Sequence, residues 1–235
     1  MQNKILLINN LLKIKFGIPP RNKKVPDPVN LLIATILSQN TNDRNSFKAY
    51  NNLKEKYSDW EDVAKLKPAQ IEKLIKVAGL GKQKSKAIKN LLTSLLKERG
   101  RVSINHLKNM NDHEVLSELT GYTGIGVKTA SCVLLFSLNR NVCPVDTHVH
   151  RTLNRIGLVK TSSPDKTYYA INKNFPEGIA HSFHTNLIKL GREICKPAKP
   201  DCQNCPVLKI CKFENKSAGN KHLYRKNSFM LLDNV

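Results

Sequence analysis

Apolar residues recur at three- and four-residue spacing along nearly the whole chain, which is the period of a helix face and not of a strand. Segments 29–38, 44–57, 68–77, 84–98, 112–119, 127–138, 147–157, 165–173 and 177–191 all carry the pattern. In 84–98, Ala87, Leu91 and Leu95 join Ile88, Leu92 and Leu96 in one broad stripe, with lysines opposite. No stretch alternates long enough to make a strand, so the fold class is all-α. Gly79, Gly100, Gly121 and Gly157 stand at or just past helix ends, where a positive φ is useful. Asp112 and Asp146 are placed to cap helix starts. Two segments fall outside the helical period: a Pro-rich stretch at 17–28 and the segment 195–211.

Charge narrows the partner. The 235 residues hold 39 Lys+Arg against 18 Asp+Glu, a formal charge of +21. That length buries a real core without staples. A surplus of this size calls for a polyanion, and nucleic acid is the commonest one inside cells. Aromatic residues make up 6%, which argues against single-strand binding on stacking platforms. No apolar run approaches the ~18 residues that span a bilayer. The run Ile5 to Leu12 is interrupted by Asn9 and Asn10 and lacks a small-residue cleavage site, so no signal peptide is expected. The expectation is an intracellular protein with no membrane partner, in the cytoplasm or nucleoid if the source is a prokaryote. The basic tail 213–235 is expected to be mobile.

Cys195, Cys202, Cys205 and Cys211 are spaced C-x6-C-x2-C-x5-C, with Pro197, Pro200 and Pro206 preventing regular structure between them. Thiolates crowded into one loop of a chain with no export signal point to a metal. Zinc sites built from four cysteines usually use two close pairs, whereas here Cys202 and Cys205 form the one close pair. Spacing therefore leaves both a zinc ion and a cubane iron–sulfur cluster open. Cys132 lies on an apolar helix and reads as a small core residue.

Residues 123–130 read Thr-Gly-Ile-Gly-Val-Lys-Thr-Ala, echoed at 78–87 by Ala-Gly-Leu-Gly-Lys-Gln-Lys-Ser-Lys-Ala. A Gly-apolar-Gly turn feeding a helix start presents unpaired N–H groups and positive dipole character, which suits a phosphate. The plain alternative is a glycine-capped helix–turn–helix with Leu119 and Ile125 in the core. Lys128 falls in the first helical turn, where a cation opposes the dipole. On the residues alone it reads either as a nucleophilic amine or, as for most of the 39 basic residues, as an exposed lysine touching phosphate, and the second reading is the stronger. Asp146, in Cys143-Pro144-Val145-Asp146-Thr147-His148, opens a helix and serves either as a structural cap or as a carboxylate supporting positive charge. His148, His150 and Arg151 follow on the next turn, as phosphate donors or as an ordinary solvated face.

Taken in order, Leu31-Leu32-Ile33-Ala34-Thr35-Ile36-Leu37-Ser38-Gln39, the turn at 123–130, Val145-Asp146-Thr147-His148 and the four-cysteine loop resemble the endonuclease III family. These are helix-hairpin-helix DNA glycosylases of base-excision repair, and the resemblance covers roughly residues 25–212. It implies two all-α lobes with a DNA groove between them. One is a six-helix barrel at 30–140 carrying the hairpin; the other joins 1–29 to 141–212 and holds a [4Fe-4S] cluster on Cys195, Cys202, Cys205 and Cys211. It also implies a monomer acting on double-stranded DNA that contains damaged bases or abasic sites. Lys128 would be the nucleophile that forms a Schiff base at the sugar, and Asp146 the catalytic aspartate. Gln39 or Asn40 would enter the duplex where the damaged nucleotide leaves, and Leu80 would wedge the opposite strand. Asp43 matches a pocket acid. Thr123, Gly124, Gly126, His148, Arg151 and Arg192 would contact DNA. The implied activity is excision of an oxidised pyrimidine followed by β-elimination 3′ to the site. Two departures stand out: Thr123 replaces the usual hairpin proline, and Thr120 stands where some members carry an acidic pocket residue. Related thymine-mismatch glycosylases typically lack the lysine. Adenine-mismatch relatives also lack it and add a C-terminal domain, for which 24 residues after Cys211 leave no room. A monofunctional mismatch glycosylase and a non-catalytic DNA-binding module are the rival readings.

Overall fold

A computed structural model describes residues 1–21, 25–217 and 232. Eleven α-helices run through the described residues, and no strand forms among them. They are α1 (Gln2–Phe16), α2 (Pro28–Ser38), α3 (Asp43–Lys56), α4 (Trp60–Lys65), α5 (Pro68–Ile75), α6 (Gly81–Arg99), α7 (Asp112–Thr120), α8 (Val127–Cys132), α9 (Thr147–Ile156), α10 (Pro164–Asn172) and α11 (Ala180–Lys189). Two of the expected helices end in a wider π-turn: α8 continues through Val133–Ser137, and α11 through Leu190–Ile194. The tail expected to be mobile lies, from 218 on and apart from Leu232, outside the described residues.

Two compact units divide the chain. Among the described residues, Met1–Arg21 joins 141–217 in one, and 25–140 form the other.

In the central unit α2 is the hub. Leu31, Leu32, Ile33, Ala34, Ile36 and Leu37 are all fully buried, and α2 packs against α3, α6 and α8. Its start is fixed by sequence: Pro28 sits at the first turn, and Asp27 Oδ1 accepts from Val29 N (2.9 Å) and Asn30 N (3.2 Å). The cap of α7 corrects the sequence reading. Asn111, not Asp112, accepts from Glu114 N (3.0 Å), and Glu114 returns a carboxylate to Asn111 N (2.8 Å). This reciprocal pair satisfies two orphan donors, so Asp112 becomes the first helical residue. Gly121 likewise ends α7 in the right-handed region, φ −67°, and has no need of its glycine freedom.

In the other unit α1 packs against α11, and α9 lies against α10, α11 and the π-turn after α11. Helix α1 carries no single stripe, because Ile5, Ile8 and Leu12 are buried while Leu7 and Ile14 are exposed. Apolar residues on both faces blur the period, which is why the segment reads as an apolar run and not as a helix. Asp146 caps α9, its Oδ1 accepting from Val149 N (2.8 Å), and Gly157 ends it with φ 73°.

Candidate active site

In the central unit, three loops carry the residues singled out by sequence, and side-chain contacts tie them together. The 123–126 turn is anchored from within: Ile125 is 4% exposed and Leu119 fully buried, while Gly124 and Gly126 face outward. Gly124 is required twice over. Its φ is +88°, and a Cβ there would lie 3.0 Å from Ala87 Cβ on α6. Tyr122 donates to Glu98 on α6 (2.9 Å), and burial pushes its phenol up to about 12, so it stays a donor. Gln39, just past α2, donates through Nε2 to Gly124 O (3.3 Å). The turn is thus held by the core, by α6 and by the end of α2. Lys128 follows it, half-buried in the first turn of α8, and its carbonyl accepts from Ser131 Oγ (3.0 Å). Thr123 is exposed, and Thr120 gives its hydroxyl to Leu116 O (2.7 Å). Asp43 is the first residue of α3.

Two of the residues expected to enter DNA share an unusual backbone state. Asn40 has φ 50° and Leu80 has φ 51°. Asparagine tolerates the left-handed region, whereas for leucine it costs roughly 1–2 kcal/mol. Leu80 is also 46% exposed, so burial of its side chain offsets little of that cost. The fold thus holds an exposed apolar tip in a costly backbone state. The 78–87 echo therefore departs from the 123–130 turn in geometry. In the first, the residue between the glycines is left-handed and exposed; in the second it is the buried Ile125.

The other unit carries Asp146 and the cysteines. Asp146 is half-buried, with Oδ1 committed to the cap of α9. His148, two residues on, is half-buried, and desolvation lowers its basicity despite the pull of Asp146. Arg151 was expected to face phosphate. Its Nε donates to Cys195 O (3.0 Å) and its Nη2 to Gly191 O (2.8 Å), so most of its fork is spent on the carbonyls that end the α11 helix. Arg192 next to it is exposed. Gly191 makes this packing feasible, since a Cβ there would meet His148 Cβ at 2.7 Å.

Cys195, Cys202, Cys205 and Cys211 line one cavity with Arg155, Ile194, Leu208 and Phe213. None of the six cysteines forms a disulfide, and Cys132 and Cys143 are fully buried elsewhere. Desolvation pushes the Cys205 thiol up to about 12 and raises that of Cys195. Arg155 binds the loop from one side, donating to Cys195 Sγ (3.5 Å), Lys196 O (2.7 Å) and Pro197 O (2.8 Å), with its guanidinium 4.3 Å over the Phe213 ring. Among the described residues, no group of three or more His, Cys, Asp or Glu side chains is disposed to hold a single metal ion. The four thiols surround a space without converging on one point.

Lys84 went unnoticed in the sequence. It reads as one more lysine of a basic helix, yet it is 2% exposed. Its Nζ donates to Leu37 O and Ala78 O, both at 2.8 Å, and burial lowers it to about 8.

Comparison with known proteins places this geometry. The profile of the HhH-GPD superfamily base excision DNA repair protein matches residues 33–177. The chain belongs to that family. Within the family it is similar to endonuclease III of Thermotoga maritima, 39% identical over 195 residues, covering 83% of this chain and 87% of that one. It is also 33% identical to endonuclease III of Sulfolobus acidocaldarius, over 77% of this chain and 80% of the relative. Among solved structures it is similar to a trapped endonuclease III–DNA covalent intermediate, with TM-score 0.74 and 26% identity over 90% of this chain and 96% of that chain. A thermostable thymine-DNA glycosylase shares the fold, with TM-score 0.68 and 24% identity over 90% and 96%. No described helix is long and apolar enough to cross a membrane.

Proposed function

We propose that this protein is a DNA glycosylase with AP lyase activity, which excises an oxidised pyrimidine from double-stranded DNA and nicks the strand 3′ to the site. The observation that carries the reading is Lys128, set in the first turn of α8 directly after a turn braced by Gln39, Ala87 and Glu98. An amine needs a fixed approach to one carbon, and a braced turn supplies it.

The damaged nucleotide leaves the stack at a cost of a few kcal/mol, less where the lesion weakens pairing. Gln39 or Asn40 fills the space on that side and Leu80 presses on the other strand. Exposed amides at Gly124 and Gly126 take a backbone phosphate. Lys128 Nζ attacks C1′ as the glycosidic bond breaks and the base departs with a proton. To Asp146, the carboxylate that caps α9, falls the support of the developing positive charge and the movement of the amine proton. The amine proton passes to O4′ as the C1′–O4′ bond breaks and the sugar ring opens, giving the C1′–lysine imine. Loss of a C2′ proton then expels the 3′ phosphate by cleavage of the C3′–O bond, and water hydrolyses the imine to release the enzyme. Arg192 with the neighbouring lysines offers charge to the backbone, while Arg151 orients the loop.

The cysteine loop fits a [4Fe-4S] cluster. Four partly exposed thiols line one cavity without converging on one point, which suits a cubane whose four irons take one thiolate each better than a single zinc ion with ~2.3 Å Zn–S bonds. Bound there, the cluster would act as a staple for a segment with little regular structure of its own. Cys195, Cys202, Cys205 and Cys211 would hold it, with Arg155 balancing the thiolate charge. We place the protein in the cytoplasm or nucleoid, acting as a monomer.

A panel of duplexes, each with one lesion, scored with and without alkali tests the reading. Strand cutting at oxidised pyrimidines without alkali is expected. Cutting that appears only after alkali would show base release without lyase activity, and overturn the role given to Lys128.

A further inference from the structure

Lys84 is a costly residue to bury. It lies in the first turn of α6, where the helix dipole opposes a cation, and among the described residues its bonds go to backbone carbonyls and not to a carboxylate. What holds it is a pair of carbonyls from the ends of two different helical segments. Leu37 O belongs to the last turn of α2, and Ala78 O ends the 3₁₀ turn Lys76–Ala78. Both are orphan acceptors at the negative ends of helical segments. Each of these ends runs at once into a loop given a place in the duplex. Leu37 is followed by Ser38, Gln39 and the left-handed Asn40, and Ala78 by Gly79 and the left-handed Leu80. One ammonium therefore spans the roots of the two loops.

We propose that Lys84 is a positioning residue that sets the separation of the Gln39–Asn40 loop and the Leu80 loop, and so controls extrusion of the damaged nucleotide. The proposal rests on the glycosylase reading above. Its mechanical logic is that the two loops act on opposite strands of one base pair, so their spacing must be fixed before they meet DNA. Lys84 itself touches no DNA and no reacting atom. The nearby Lys89 is the natural comparison: it lies on the same helix and donates to Ala64 O, but it ties down α4, which carries no such loop.

Extrusion is cheaper at a preformed abasic site than at an intact pair. Loss of the clamp should therefore act unequally on the two steps. The test compares the wild-type protein with Lys84→Met, Lys84→Arg and Lys89→Met, on one duplex carrying thymine glycol and another carrying a single abasic site. For Lys84→Met, kcat/KM for base release should fall about tenfold or more, while single-turnover cutting of the abasic duplex stays within about threefold. Lys84→Arg, which retains donors for both carbonyls, should preserve more of the base-release rate than Lys84→Met. Lys89→Met should leave the ratio of the two rates unchanged. If Lys84→Met instead lowers both rates equally, or leaves both unchanged, Lys84 does not position the loops. If Lys84→Met does not fold, Lys84→Arg carries the test, and equal loss of its two rates overturns the proposal. A wild-type protein that cuts neither duplex would refute the glycosylase reading itself, a separate outcome.

Discussion

Replacing Leu80 by glycine should make the protein more stable and less active. At φ 51° and ψ 34° the leucine pays roughly 1–2 kcal/mol for its left-handed backbone. Glycine removes that strain but gains about 0.5–1 kcal/mol of unfolded-chain entropy. The side chain is 46% exposed, so little burial is lost. The net gain is then about 0.5–1 kcal/mol, or ~1–4 °C in Tm for a chain of this size. Thermal melting by circular dichroism measures the first effect. Base release from a thymine-glycol duplex measures the second, which should fall by about tenfold as the wedge on the opposite strand disappears. A Tm that drops by several degrees would show that the turn is not strained. Undiminished base release would show that Leu80 does not work in the duplex.

Gly191→Ala should cost about 1–3 kcal/mol in urea unfolding, because the new methyl meets His148 Cβ at 2.7 Å and neither helix can yield easily. Asn111→Ala should cost about 1 kcal/mol by loss of the α7 cap, with lyase activity unchanged. The stability difference between the wild type and Lys84→Met should depend on pH. The folded value of Lys84 is lowered to about 8, so the cost of its buried charge is present in full below pH 8. As pH rises from 8 toward 10.4 the native state loses that proton before the unfolded chain does, and the wild type gains relative to the variant by up to ~3 kcal/mol. A difference that stays flat from pH 7 to 10 would refute the buried-charge account. Chelation of iron should lower Tm and bleach visible absorbance together, read in one melt with and without the chelator.

The helices were legible because each buries one face, and helices such as α6 and α9 announce that face by spacing. Helix α1 escaped because it is apolar on two sides, and α4 because six residues hold too few turns to show a period. The π-turns after α8 and α11 leave no mark on apolar spacing. At the site, the motifs disclosed which residues matter but not what each one touches. Asp146 as a cap follows from its place before Thr147, whereas the bonds from Arg151 to Cys195 O and Gly191 O join residues some forty positions apart. Lys84 was hidden in part for the same reason: one carbonyl partner, Leu37 O, comes from a distant helix end, and a sequence rich in lysine conceals a buried one. Part of the +21 charge is structural in this way, since Lys4, Lys84 and Lys89 each donate to a backbone carbonyl.

Borohydride trapping reaches the central claim most directly. Incubated with a duplex containing one abasic site and then reduced, the wild-type protein should migrate with DNA as a single covalent adduct, and Lys128→Ala should give none. An adduct of normal yield from Lys128→Ala would contradict the account, because the imine would then have formed on another amine.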